Sequence, residues 1–325
     1  MCRSCGQFFL VLAVVAGMLA LTFGAGGQTK DTAKDTAKKD TGKDTKTKEK
    51  IDPAKLKPDP DKVKVQKEKG EKHYKEIFEV EEAPFYESSH FLIYGKANRP
   101  LINLAGDIEE AYSRYGCKAL ELEPNPGPWP GKLTLFLIHD AKRYPQAIRV
   151  LQRRKADEDE IGSYDMEGAT PHVTACPSKT LGEQSMEATA CTQMGAWLVS
   201  YKAKTRLPEW LAEGFGRATM LHAWGSTVLA ADRRKAAAFI TKNNRNIGDV
   251  IAGTALNAQE LPVLRASVAD YLAYSNKTDK FLPIVSGFLT NGKNQPGDFN
   301  VGLQKANLKQ DDLNKNWHNF AKTFK

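Results

Sequence analysis

A chain of 325 residues that is 41% hydrophobic can bury one sizeable core, which excludes a mini-protein held together by disulfides. Its formal charge of +8 would suggest a nucleic-acid partner, but the charge is unevenly placed: residues 28–72 hold 15 Lys against 10 acidic residues, Arg3 adds one, and residues 73–325 are left at about +2. The main body is nearly neutral, and no nucleic-acid partner is expected.

In chain order, Arg3 precedes an apolar run from Phe8 to Phe23 that gives way to Gly24, Ala25, Gly26 and Gly27. This is the layout of a secretory signal over residues 1–27, with a membrane anchor as the alternative. The protein is expected to be secreted, periplasmic or held at the cell envelope, with no transmembrane segment once the signal is removed. Cys2 and Cys5 would leave with the signal, so Cys117, Cys176 and Cys191 remain. Export permits one disulfide among these three, and the pairing is open.

Residues 28–72 repeat a Lys-Asp-Thr unit and continue through Pro53, Pro58 and Pro60. With few large apolar residues, this segment reads as a disordered tether, or as a basic arm for an anionic envelope polymer. The folded domain is expected over 73–325, with order beginning near Phe85. SHFLIYG (89–95) and KLTLFLIH (132–139) read as buried strands. Between them Leu101, Leu104, Ala105, Ile108, Tyr112 and Tyr115 repeat at helical spacing. Asp140 is placed to cap a short helix that carries Pro145 in its first turns. RRKADEDEIG reads as an exposed loop, and PHVTAC (171–176) as a strand at the sheet edge or one that exits at once, because of Pro177.

From Leu181 the pattern is helical. Met186, Ala190, Met194, Trp197 and Tyr201 mark one face of a helix, PEWLAEGFGRATMLHAW follows with Pro208 at its start, and further helices are expected at 228–242, 257–274, 280–290 and 309–323. The fold class is α+β: a small mixed sheet with helices over 73–180, then a helical half over 181–325.

The segments HFLIYG, KLTLFLIHDAKRYPQ, PEWLAEGFG, ASVADYLAY, FLPIVSGFL and LNKNWHNFA, in this order, resemble the gluzincin-type metallopeptidases, and specifically the secreted peptidase-MA-like proteins of planctomycete type. The resemblance covers Phe85 to the C-terminus and implies a zincin-like (gluzincin) architecture. It also implies a zinc site: two His at i and i+4 on one helix, a Glu beside the first as general base, and a carboxylate from a later helix. Glu213 matches that later carboxylate. The His pair is missing, because the six His at 73, 90, 139, 172, 222 and 318 include no two that are four apart.

In MEATA (186–190), Met186 and Ala190 occupy the His positions and Glu187 the general-base position; a second register uses Ala188, Thr189 and Thr192. Met and Ala are no substitute for imidazole on Zn²⁺, so no cofactor is expected. One substitute set is open, because Glu187 and Cys191 share a helical face and with Glu213 would make Glu-Cys-Glu. His172, His90 and His139 read as ordinary exposed or strand-end residues. Ser185 and Ser200 lack a nucleophile-elbow setting, there is no phosphate-binding glycine loop, and Asp157 to Glu160 reads as a solvated loop.

The expectation is an exported protein with a decayed zinc site, acting as a non-catalytic binding or structural module toward a protein, a peptide or an envelope polymer. Two alternatives stand beside it: a zinc-dependent peptidase with an atypical metal site, and a basic-tailed protein that binds envelope polymer.

Overall fold

Two five-residue apolar segments, Phe91–Gly95 (β2) and Leu133–Leu137 (β3), form the middle of a sheet and are buried along their whole length. In the computed structural model, which describes residues 58–167, 170–178, 186–276, 278–289 and 298–324, three further strands join them. These are Phe85–Glu87 (β1), Gly162–Asp165 (β4) and His172–Ala175 (β5). The order is β1-β2-β3-β5-β4, with β2, β3 and β5 parallel and an antiparallel strand at each edge.

Both faces of the sheet are covered, which is why the central strands read as continuous apolar runs. Phe91, Ile93, Leu133, Leu135, Leu137, Val173 and Ala175 point to the larger core, and Leu92, Tyr94, Phe136 and Ile138 to a smaller one. On the larger side lies Leu101–Glu110 (α2), which widens into a π-helical stretch at Ala111–Gly116 before Cys117–Ala119 (α3). On the smaller side lie Pro60–Phe78 (α1) and Tyr144–Gln152 (α4), which supply Val63, Tyr74, Ile77, Tyr144, Ala147 and Ile148. Asp140 caps the turn before α4 by accepting from the Lys142 amide at 2.9 Å, as its position predicts.

The helix α1 corrects the tether reading and the expected start of order at Phe85. The proposed boundary at residue 72 cuts through it, although residues 28–57 of that segment, and the signal at 1–27, lie outside the described residues. Asp59 caps it by accepting from the Asp61 amide at 3.1 Å and from that of Lys62 at 3.4 Å. Its buried stripe is thin: Val63, Gln66, Gly70, Tyr74 and Ile77 fall at helical spacing among lysines and acids. Gly70 is required there, since a Cβ would lie 2.5 Å from the Tyr94 ring.

The loop expected at RRKADEDEIG ends in a strand as well. Arg154 donates to Glu160 and fixes the turn, and β4 then pairs along β5. β5 is thus an interior strand and β4 the edge, contrary to the first of the two positions offered for PHVTAC; Pro177 follows the last paired residue, consistent with immediate exit.

The helical half is built on Met186–Ala203 (α5), which is buried on every side from Met186 to Ser200 and so does not present only the expected single face. Crossing it is Glu209–Ala223 (α6), where Gly195 and Gly216 meet so closely that a Cβ on Gly195 would lie 2.6 Å from the Gly216 Cα. Then come Ser226–Asn243 (α7), Ile247–Ala252 (α8), Glu260–Tyr274 (α9), Phe281–Ser286 (α10), Phe299–Lys305 (α11) and Gln310–Lys322 (α12). The short α8 and α11 have no counterpart in the expected set. Among the described residues no helix is long and apolar enough to cross a membrane.

Candidate functional site

Glu213 lies in the second turn of α6, where a carboxylate is favoured by the helix dipole. Gly214, next to it, lets α9 approach, since a Cβ there would sit 2.6 Å from the Arg265 carbonyl oxygen. The close approach brings Arg265 against the carboxylate. Arg265 Nη1 donates to Glu213 Oε2 at 3.2 Å and Nη2 to Glu209 Oε2 at 3.3 Å. From α5, Gln193 Nε2 donates to Glu213 Oε1 at 3.1 Å.

The remaining wall is the β4 edge. Thr189 and Gln193, one turn apart on α5, both lie against Gly162, and Trp197 Nε1 donates to the Asp165 carbonyl oxygen at 3.0 Å. The Tyr164 hydroxyl meets Ser200 Oγ at 2.9 Å, and the Arg206 guanidinium lies 5.0 Å from the Tyr164 ring centre. Burial, and then the like charge of Glu209, push the Glu213 carboxyl above its ordinary range against the pull of Arg265, Gln193 and Arg206.

The expected site residues do not converge. Glu187 is buried at the start of α5, where Oε1 accepts from the Asn98 amide at 2.8 Å. Six residues separate it from Gln193, which places the two about 120° apart around the helix and about 9 Å along it. The α5 residue bonded to Glu213 is therefore Gln193, and its partner one turn earlier is Thr189; neither the Met186/Ala190 nor the Ala188/Thr192 register supplies that contact.

Cys191 is fully buried and its thiol is pushed up by burial, with Asp107 and Arg99 as the charges that act on it. Cys117, Cys176 and Cys191 are all free thiols, and burial raises those of Cys117 and Cys176 to about 11 and about 12. Among the described residues no three of His, Cys, Asp and Glu come together as a group able to hold a metal ion. The donor set around Glu213 does not fit zinc, because an amide N–H and a guanidinium offer the ion no lone pair and the latter repels it.

The histidines serve elsewhere. His90 and His172 stand at strand starts, as read, but are buried there, whereas His139 is exposed and stacks on Phe78 with ring centres 4.7 Å apart. His90 spans Glu109 Oε2 at 2.6 Å and Asn125 Oδ1 at 2.7 Å; burial opposes its charge, but these two partners prevail and raise its pKa. His222 Nε2 donates to Asp270 at 2.8 Å, and Arg233 Nε donates to the same carboxylate at 2.7 Å.

Sequence reasoning missed Arg265 and Gln193. The available signal was a lone Arg inside the apolar helix VLRASVA and a lone Gln inside a helix buried on every side. Such polar residues need partners, and for both of them one partner is Glu213, distant in the chain. A scan against family models and a search of curated proteins match nothing in this chain.

Proposed function

We propose that the protein is an exported, non-catalytic relative of the gluzincin-type peptidases that serves as a binding or structural module of the cell envelope or exterior, toward a protein, peptide or envelope polymer. One observation carries the reading: Glu213, which the resemblance makes the third metal ligand, already has a cation in Arg265 and an amide donor in Gln193. The order of strands and helices and the close contact of α5 with α6 support the relationship. A peptidase needs about three donors on zinc and an open position for water, and this cleft offers one carboxylate turned toward a guanidinium.

The test uses the full chain purified without chelator. Elemental analysis is expected to find far less than one zinc per chain, chelator is expected to leave the unfolding temperature unchanged, and a casein-type substrate is expected to stay intact. One zinc per chain, with a loss of thermal stability on its removal, would overturn this reading in favour of the peptidase with an atypical metal site.

A further inference from the structure

Beneath α1 the sheet holds a histidine in an unusual setting. His172 opens β5 and is 5% exposed. Its Nδ1 lies 3.2 Å from the Thr170 carbonyl oxygen, an acceptor only, so that nitrogen carries the proton in the neutral ring. Nε2 is buried and has no protein partner among the described residues. The ring borders a cavity of about 30 Å³ lined by Gln66, Lys69, Gly70 and His73 of α1, with Thr134, Phe136, Leu151 and Thr170 around the rest. Nε2 itself is sealed from solvent, so a charge on the docked ring would be neither paired nor hydrated there.

We propose that α1 is an acid-sensitive latch: it docks on the sheet over a neutral His172, and a proton on Nε2 releases the helix and opens the sheet face beneath it. Among the described residues no acceptor faces that nitrogen. From α1, Lys69 and His73 face the cavity, and Lys72 and Glu76 lie beside His73. From β4, Asp165 Oδ2 lies 4.0 Å away, on the Nδ1 side. From β3 come only Thr134 and Phe136, and from α4 only Leu151, none of them charged. The Gln66 amide is committed, donating to the Pro130 carbonyl oxygen at 3.0 Å and accepting from the Lys132 amide at 2.8 Å.

A second positive charge in this space would meet Lys69, and one on His73 would meet it too. Burial lowers the pKa of both histidines, in agreement with this geometry. For a base held below its unfolded value, the docked state keeps its full advantage above about pH 6.5 and loses it as the pH falls further. A single proton taken up on opening, with the docked ring neutral throughout, favours the open state by at most roughly 30-fold at pH 5.0 relative to pH 7.5, and a second on His73 would add to that.

The experiment is hydrogen exchange of the full chain at pH 7.5 and 5.0, corrected for intrinsic exchange rates. Protection over residues 60–78 is expected to fall on acidification, by up to roughly 30-fold for the His172 proton, while that of residues 186–203 holds, and His172→Gln is expected to remove most of the difference. An equal loss in both segments would mean global acid unfolding and overturn the latch. So would a variant as acid-sensitive as the parent, or an effect removed by His73→Gln alone.

Should His172→Gln fail to fold, NMR titration of the parent decides. His172 is expected to stay neutral as long as α1 is protected, and a His172 that titrates near pH 6.5 with α1 protection intact overturns the proposal.

Discussion

At the scale of single residues, Arg265 is what makes the Glu213 carboxylate tolerable in a packed cleft. Its side chain is 12% exposed, while that of Glu213 keeps about a third of its surface, 36%. Removing one member of a buried pair can cost 3–5 kcal/mol, and this partial exposure scales the expectation for Arg265→Met to about 1–3 kcal/mol at pH 7. Adding Glu213→Gln should recover much of that loss, because no unpaired charge is then left; denaturant unfolding of the two single variants and the double variant measures the coupling.

The sign with pH is set by the raised carboxyl. A Glu held above its unfolded value contributes stability that is complete below about pH 4.5 and is lost as the pH rises through the folded value. Arg265→Met should therefore destabilise more at pH 7 than at pH 4. An equal effect at both would show that the arginine acts through packing alone.

At the scale of elements, the contact of α5 with α6 depends on glycine. A Cβ on Gly216 would run into the Thr192 carbonyl oxygen, backbone against backbone, so the helices would have to separate. Gly216→Ala is expected to destabilise by about 2–4 kcal/mol, whereas Gly106→Ala, with nothing within 4 Å of its Cβ, should stabilise by about 0.5–1 kcal/mol through helix propensity. Thermal unfolding of the pair checks both signs.

The same contact sets a register test. Thr189→His with Gln193→His, in an Arg265→Ala background, places two imidazoles at i and i+4 on the face of α5 that meets Glu213. Zinc at a hundredfold excess over its dissociation constant should then raise stability by about 2.7 kcal/mol, and Met186→His with Ala190→His in the same background should show no rise. Stabilisation by the second pair and not the first would refute the assignment of Gln193 to the ligand-facing position.

At the scale of the whole molecule, α1 joins the fold to what precedes it. The Tyr94 hydroxyl donates to the Lys67 carbonyl oxygen at 2.8 Å, Gln66 bridges Pro130 and Lys132, and Val63, Tyr74 and Ile77 complete the smaller core. Removing residues 1–57 should change the unfolding temperature little, whereas extending the deletion through Phe78 uncovers the smaller core and should lower it while the larger core stays folded. A salt-sensitive polymer-binding activity assigned to residues 28–72 must accordingly be tested by a deletion that stops before Asp59.

Acid sensitivity has a second source at this scale. Burial alone would raise Glu109, Glu160 and Asp270, but hydrogen-bonded His90, Arg154, and His222 with Arg233 hold them below their ordinary values. Such carboxylates contribute stability above their unfolded pKa and lose it as the pH falls through the folded one, so global unfolding should set in below about pH 4, well under the window in which α1 is released.

What the sequence determined by itself is the set of elements with a strong period and the class they make. FLIYG and LTLFL are continuous apolar runs because a parallel strand is covered on both faces, and Leu104, Ala105, Ile108 and Tyr112 face the core at helical spacing. The absence of a His pair and the prominence of Glu213 were equally plain. Hidden from it was whatever depends on a partner distant in the chain.

The α1 stripe is too thin among charges to stand out until Tyr94 and Phe136 lie beneath it, and β4 becomes a strand only by pairing with β5. Arg265 lies 52 residues from Glu213, and only the glycine-mediated approach of α9 to α6 turns two ionisable groups into one ion pair. Local periodicity records which face of an element is covered; which charge meets which is decided by close packing between segments that the sequence order keeps apart.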